Sequence, residues 1–269
     1  MDLHTVTRWV EPGSRADLPT GDPGVAVVAG GTWLFSAPQP HLTTLVDLTV
    51  LGWEPLVARM GGLEIAATCT VRELRGARAL GDWPALSLVE PCCAAFASAP
   101  KIWDLATVGG NVCVALPAGP MISLLSALDA TALVWSADGS DRRTPVADLV
   151  VGPSRSALAP GDVVRSFHVP AERLHAPVAF RRIALTDEGR SGAVVVARRD
   201  PDASVTVSVT AATSRPRTLV LEGSPSTHEL DAALARIDDW YDDHHGSAAW
   251  RRSMVTTLAR DAVADVVAA

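Results

Sequence analysis

Two short stretches carry the residue types that hold an anion without lysine. Ala29-Gly30-Gly31-Thr32 closes the apolar run GVAVVA, and Thr107-Val108-Gly109-Gly110-Asn111 lies in DLATVGGNVCVALPAG. Consecutive small residues in a turn let successive backbone N–H groups converge on one anion, and the missing side chains let a pyrophosphate approach closely. The threonine or asparagine beside each glycine pair adds a neutral donor. A Gly-Gly pair also marks a plain tight turn, and a single pair reads that way first. Two pairs in matching context put ligand binding level with the turn. Lys101 is the only lysine, and it follows Ala99-Pro100, so a Walker-type phosphate loop is excluded. There is no G-x-G-x-x-G, and GRSGA at 189–193 holds its serine out of register for a nucleophile elbow.

Other chemistry-bearing residues point less far. DDHHG at 242–246 sets two acids and two histidines side by side. Adjacent residues on a helix or turn point apart, so His244 and His245 are expected on a solvated helix entry, and no metal site is assigned. Cys69, Cys92, Cys93 and Cys113 show no C-x-x-C spacing, which excludes an iron–sulfur or zinc ligand set on this chain. They are expected as free thiols of a reducing, cytoplasmic setting, with Cys92-Cys93 in a core. No acid–base or nucleophilic triad is discerned, so no catalytic residue is assigned.

The elements that must position the glycine stretches fall into three regions, 1–55, 56–175 and 176–269. In the first, VAVVA reads as a buried strand ending in glycine, followed by a second β-rich run, TTLVDLTVL. In the second, GGLEIAATCTVREL passes from strand to helix, with Thr70 as N-cap and Glu73 at capping-box spacing. WPALSLVEPCCAAFAS reads as a helix interrupted at Pro91, and MISLLSALDATALVWSADG as a helix or helix–strand unit. In the third, VAFRRIAL, GAVVVARRD and ASVTVSVTAAT are β-type runs, the last alternating over 204–210. Two helical patterns follow, the final one with Trp250, Met254, Leu258, Ala262 and Val266 as its apolar stripe. The class is α+β, without the steady β-α-β alternation of a doubly wound nucleotide fold.

The bulk numbers exclude further roles. At 269 residues and 48% apolar, the chain holds enough core for one large domain or two to three small ones. A net charge of −7 offers no basic field for nucleic acid or an anionic membrane. MDLHTVTRWVEPGSR has an early acid and no apolar h-region, so no signal peptide is expected, and no run of transmembrane length occurs.

The segments VAVVAGGTWL, LEIAATCTVREL, ASAPKIWDLATVGGNVCVALPAG, LLSALDATALV and DLVVGPSRSALAPGDVVRSFHVP occur in the order of a known family. Together they resemble the FAD-binding medium subunit of molybdenum hydroxylases, which include xanthine dehydrogenase, carbon monoxide dehydrogenase and aldehyde oxidoreductases. AFRRIAL and DDHHGSAAWRRSMVTTLARDAV resemble its C-terminal subdomain, so the likeness spans nearly the whole chain.

The resemblance implies an FAD-binding two-subdomain fold of the PCMH/vanillyl-alcohol-oxidase kind, followed by a C-terminal β-sheet plus helices. FAD would lie between the first two subdomains. Val28, Ala29, Gly30, Gly31 and Thr32, with Ala106, Thr107, Gly109, Gly110 and Asn111, would clamp its pyrophosphate, and Leu34 would lie close by. Thr68 falls at a further flavin position, Val163 and Val164 match apolar residues beside the ring, and Arg181 matches a basic residue near it. The resemblance implies an oxidoreductase flavoprotein in a heterotrimer, with a molybdopterin-binding large subunit and an iron–sulfur small subunit. Electrons would reach FAD from the clusters and leave to NAD, oxygen or a quinone. A flavin serving both sides needs docking faces, which exposed apolar surface would mark.

The departures are specific. Ile102-Trp103-Asp104 stands where the family has Ile-Arg-Asn, and Trp33 stands where it has aspartate. Pro120 replaces an aspartate that contacts the ribityl region, and a proline has no side-chain acceptor for a hydroxyl. Ile65-Ala66-Ala67 replaces an Ile-Gly-Ala. Trp33 and Trp103 flank the cofactor stretches and would either stack on a ring or fill a gap, whereas Cys113 reads as packing before flavin contact. The alternatives are an FAD-deficient structural or regulatory partner and a stand-alone flavin oxidoreductase.

Overall fold

The apolar run before the first glycine pair becomes the edge of a small parallel sheet. The computed structural model describes residues 3–18 and 21–269. In it β1 (Arg8–Val10), β2 (Val25–Val28) and β3 (Thr44–Asp47) pair in the order β1-β3-β2. Arg15 fastens this sheet to the next unit. Its guanidinium pairs with Asp141 at 2.6 Å and lies 5.0 Å from the Trp135 ring centre.

The next unit is a five-stranded antiparallel sheet in the order β4-β5-β10-β6-β7. Its strands are β4 (Leu56–Arg59), β5 (Gly62–Ala66), β6 (Thr131–Trp135), β7 (Asp141–Pro145) and, after a small ribbon of β8 (Val150–Gly152) and β9 (Arg155–Ser156), β10 (Val163–Pro170). The helices that cover it are α1 (Val71–Leu74), α2 (Val89–Ala94), α3 (Val108–Val114), α4 (Pro120–Ala127) and α5 (Val146–Leu149).

The capping box at α1 forms as the spacing predicts. The Thr70 hydroxyl accepts from the Glu73 N–H at 3.1 Å, and the Glu73 carboxylate accepts from the Thr70 N–H at 2.8 Å. Thr70→Ala is expected to cost about 1 kcal/mol in a denaturant titration. A stability equal to wild type would mean that the cap is redundant. Pro91 does not interrupt a helix. The chain makes a 3₁₀ turn over Pro84–Leu88, and α2 starts at Val89, which puts Pro91 in the first turn, where no N–H is needed. Cys92 and Cys93 are fully buried in the main core, and burial pushes the Cys93 thiol up to about 12.

After α6 (Ala171–Leu174) comes an antiparallel meander of β11 (Val178–Ala184), β12 (Ser191–Arg199), β13 (Val205–Thr210) and β14 (Arg217–Leu221). Helices α7 (Thr227–Leu234) and α8 (Ala248–Ala268) pack on one face, joining Val205, Val207 and Val209 in a second core. The polar half of the β13 alternation does not face water. Thr206, Ser208 and Thr210 are buried, and the Thr210 hydroxyl lies 2.6 Å from that of Ser123 on α4.

Two fully buried arginines brace the last unit, the first of them across its boundary. Arg198 of β12 donates to the Ala127 carbonyl beyond the unit boundary and pairs with Asp129 and Asp200, the latter at 2.7 Å. Arg251 of α8 donates to the Gly192 carbonyl at 3.1 Å and the Gly246 carbonyl at 2.9 Å, to the Ala211 carbonyl, and to Asp243. Asp243 also accepts the His245 N–H, and Asp242 accepts that of Ala248, so both acids of DDHHG are engaged in shaping the turn into α8.

The α8 stripe differs from expectation. Its buried residues are Arg251, Val255, Ala259, Ala262, Val263 and Val266, whereas Trp250, Met254 and Leu258 are only partly covered. A strict i+4 series advances about 40° per step on a helix of 3.6 residues per turn, so five such residues cannot share one face. Among the described residues no helix is long and apolar enough to cross a membrane.

Candidate functional site

The three units meet around a cleft of about 490 Å³ whose walls are mostly apolar. One wall is the segment that leaves β2, residues 28–34. The opposite wall is the segment before α3, α3 itself and its link to α4. Val163 and Val164 at the start of β10 close the floor, with Leu34, Leu48 and Leu158.

The two glycine stretches are not equivalent. Gly31 takes a left-handed conformation (φ +66°), the Val28 carbonyl accepts from Leu48, and the Gly31 carbonyl accepts from Phe35 at 2.9 Å. The carbonyls are thus drawn into the protein. Among the described residues, the N–H groups of Ala29, Gly30, Gly31, Thr32, Trp33 and Leu34 meet no protein acceptor. Six successive open amides on a cleft wall are a neutral anion cradle.

The second stretch is a helix rather than a loop. Thr107 caps α3, and the amides of its first turn are all satisfied within the protein. Val108 donates to Cys69, Gly109 to Ala67, Gly110 to the Thr107 hydroxyl and Asn111 to the Thr107 carbonyl, at 2.8 to 3.0 Å. Of the two stretches, only the first therefore has amides without a protein acceptor among the described residues. What α3 offers is room. A Cβ on Gly109 would fall 2.6 Å from Ala67, but one on Gly110 would meet only the Thr107 hydroxyl, at 3.0 Å. Beyond that atom is open space.

Asn111 and Pro120 act together. Pro120 is the first residue of α4, a position that needs no N–H, and the Asn111 side-chain oxygen accepts the next amide, that of Met121, at 3.0 Å. Both residues line the cleft. Proline here supplies a helix start and an apolar wall, with no acceptor of its own.

Of the residues singled out in the sequence, Val28 through Thr32, Leu34, Ala106, Thr107, Gly109, Gly110, Asn111, Val163 and Val164 line the cleft. Thr68 and Arg181 are not among its lining residues. Thr68 follows Ala67, which does line it, and Arg181 pairs instead with Asp265 of α8 and donates to the Phe180 carbonyl. Trp33 lines the cleft and is 49% exposed. Trp103 is turned into the main core with the Arg75 guanidinium 5.4 Å from its ring centre, and Asp104 pairs with Arg72.

Sequence reasoning passed over Ser98 and Arg190 and put packing first for Cys113. All three line the cleft. The Ser98 hydroxyl is buried without a hydrogen-bond partner, and burial pushes the Cys113 thiol up to about 12, so it is a neutral wall group. Arg190 reaches the cleft from the turn between β11 and β12, an approach no local pattern reveals.

A family model, that of the FAD binding domain in molybdopterin dehydrogenase, matches residues 6–172. The chain belongs to this family. It is thus an oxidoreductase flavoprotein whose cofactor is FAD. The fold is shared with solved structures at low identity. Quinoline 2-oxidoreductase from Pseudomonas putida 86 is 17% identical with a TM-score of 0.79, covering 99% of this chain and 100% of that one. Reconstituted CO dehydrogenase from Oligotropha carboxidovorans is 21% identical with a TM-score of 0.83, covering 97% of each chain. The carbon monoxide dehydrogenase from Hydrogenophaga pseudoflava lacking the Mo-pyranopterin moiety is 18% identical with a TM-score of 0.82, covering 98% of each. Comparison with curated protein sequences finds no match.

The residues of this FAD-binding domain suit the cofactor. A diphosphate needs donors, which the open amides of 29–34 provide without lysine. A flavin ring needs apolar walls, which Leu34, Val163 and Val164 provide. The unpartnered Ser98 hydroxyl is a free polar group for a cofactor hydroxyl or ring edge.

Proposed function

We propose that the cleft between the 28–34 segment and α3 holds FAD, and that the chain is the flavin station of a molybdopterin-dependent hydroxylase. The run of open amides opposite the open Gly110 carries this reading. Ala29 to Leu34 would take the diphosphate, Gly110 would let it approach, and Val163 and Val164 would flank the ring. The flavin supplies two-electron redox chemistry, and the chain's own part is to bind, orient and shield it. The three regions 1–55, 56–175 and 176–269 would act as two FAD-binding subdomains and a C-terminal subdomain. A molybdopterin-binding large subunit and an iron–sulfur small subunit would complete a heterotrimer, with NAD, oxygen or a quinone as acceptor, in the cytoplasm.

The experiment is cofactor loading. Purified protein given FAD is expected to take on flavin absorbance, release FAD rather than FMN on denaturation, and gain hydrogen-exchange protection at the amides of 29–34. Protein that stays colourless in excess FAD would overturn the reading. Native purification from the source cell tests the partners, with iron, molybdenum and two further polypeptides as the expected companions.

A further inference from the structure

Among the described residues lining the cleft, two carry charge, Asp162 and Arg190. Asp162 is neutralised within the protein. Its buried carboxylate accepts from the Arg142 guanidinium at 2.7 Å and from the Ala159 N–H at 3.0 Å. Arg190 has no ion-pair or hydrogen-bond partner among the described residues. It is the one uncompensated charge facing the cofactor space.

The turn that carries it is braced on both sides. Arg182 donates to the Ser191 hydroxyl at 2.8 Å, to the Asp187 carbonyl at 3.2 Å and to the Gly189 carbonyl, and the Gly189 N–H donates to Thr186 at 2.9 Å. The backbone is fixed immediately before and after Arg190. The side chain thus leaves a pre-positioned backbone, and only its own rotamers remain to be ordered when a charge appears nearby.

Its place along the cleft decides which group it serves. Arg251 joins the Gly192 and Ala211 carbonyls, and the Ala211 N–H donates to Pro117 at 2.8 Å. The root of Arg190, two residues before Gly192, is therefore tied to the α3–α4 link. The open amides abut the other end of α3, since Gly30 packs against the Leu105–Ala106 backbone. Seven residues of α3 separate the two ends, roughly 10 Å at 1.5 Å per residue. A diphosphate held at 29–34 leaves Arg190 to the far part of the cofactor.

We propose that Arg190 stabilises the negative charge that the flavin ring acquires on reduction and so raises the potential of bound FAD. This rests on the cleft being the FAD site. Uptake of two electrons and one proton leaves one net negative charge on the ring, and the electrons come from an iron–sulfur partner or, in a titration, from dithionite. Arg190 is exposed on a braced turn, and a guanidinium there favours the charged form of a ring in the mostly apolar cleft over the neutral one, with little effect on affinity for the oxidised ring.

The test is a spectroelectrochemical titration of the FAD-loaded full chain, with Arg190→Gln and Arg190→Lys beside wild type. In R190Q the preference for reduced over oxidised FAD is expected to fall about tenfold, a drop of about 30 mV for a two-electron couple. Affinity for oxidised FAD should be unchanged, and R190K should recover most of the shift. An unchanged potential in R190Q would overturn the proposal, as would equal loss of oxidised and reduced affinity, which would place Arg190 on the diphosphate. Wild-type protein that binds no FAD would overturn the cofactor site itself, and this inference with it.

Discussion

Gly110→Val is expected to leave the protein folded and unable to retain FAD. The new Cβ meets one protein atom within 4 Å, the Thr107 hydroxyl at 3.0 Å, and the valine methyls must enter the space opposite residues 29–34. The fold has little at stake. Valine is preferred over glycine in a helix by a few tenths of a kcal/mol, and a tightened cap costs part of about 1 kcal/mol. The cofactor has much at stake. Holding the diphosphate away from the amide cradle forfeits charge-assisted hydrogen bonds worth about 1.5–3 kcal/mol each. Two such bonds correspond to a loss of at least about a hundredfold in affinity. Fluorescence titration with FAD reads the affinity, and thermal unfolding reads the fold. A variant that binds FAD like wild type would move the diphosphate elsewhere.

Gly30→Ala fails by the opposite route. A methyl at position 30 overlaps the Leu105 carbonyl oxygen and comes within 2.5 Å of its carbon, both backbone atoms with no rotamer to yield. The two cleft walls must part to admit it. Overpacking of this kind costs about 3 kcal/mol, and at roughly 2–4 °C per kcal/mol the unfolding midpoint should fall by about 6–12 °C. FAD affinity drops as well, though only because the cradle is displaced. Differential scanning calorimetry of the apo variant separates the two cases, since Gly110→Val should match wild type there. An apo Gly30→Ala midpoint equal to wild type would show that the walls are less tightly joined than the structure has them.

The sequence made the local features legible and hid those set by distant chain. The Thr70 capping box, the β11 to β13 runs and the pairing of the two glycine stretches rest on neighbours a few residues apart, and the structure holds the first two as expected. That Gly109 and Gly110 lie inside a helix was hidden, because glycine disfavours helix and the compensation comes from Cys69 and Ala67, some forty residues upstream in the chain. Alternation in β13 was visible, but a buried polar face required α4 behind it, paired through Ser123. Arg190 was invisible as a cleft residue for the same reason. Its position depends on Arg251 and Pro117, neither of which any local pattern connects to it.

The sealed first turn of α3 also sets how each wall responds to substitution. The amides of Val108 to Asn111 find their partners in the polypeptide, and the facing segment meets this wall at Gly30, so α3 presents shape to the cleft and not donors. The two walls therefore divide the work. Substitutions on α3 act on the cofactor through volume, whereas changes to the segment from Ala29 to Leu34 act through lost donors.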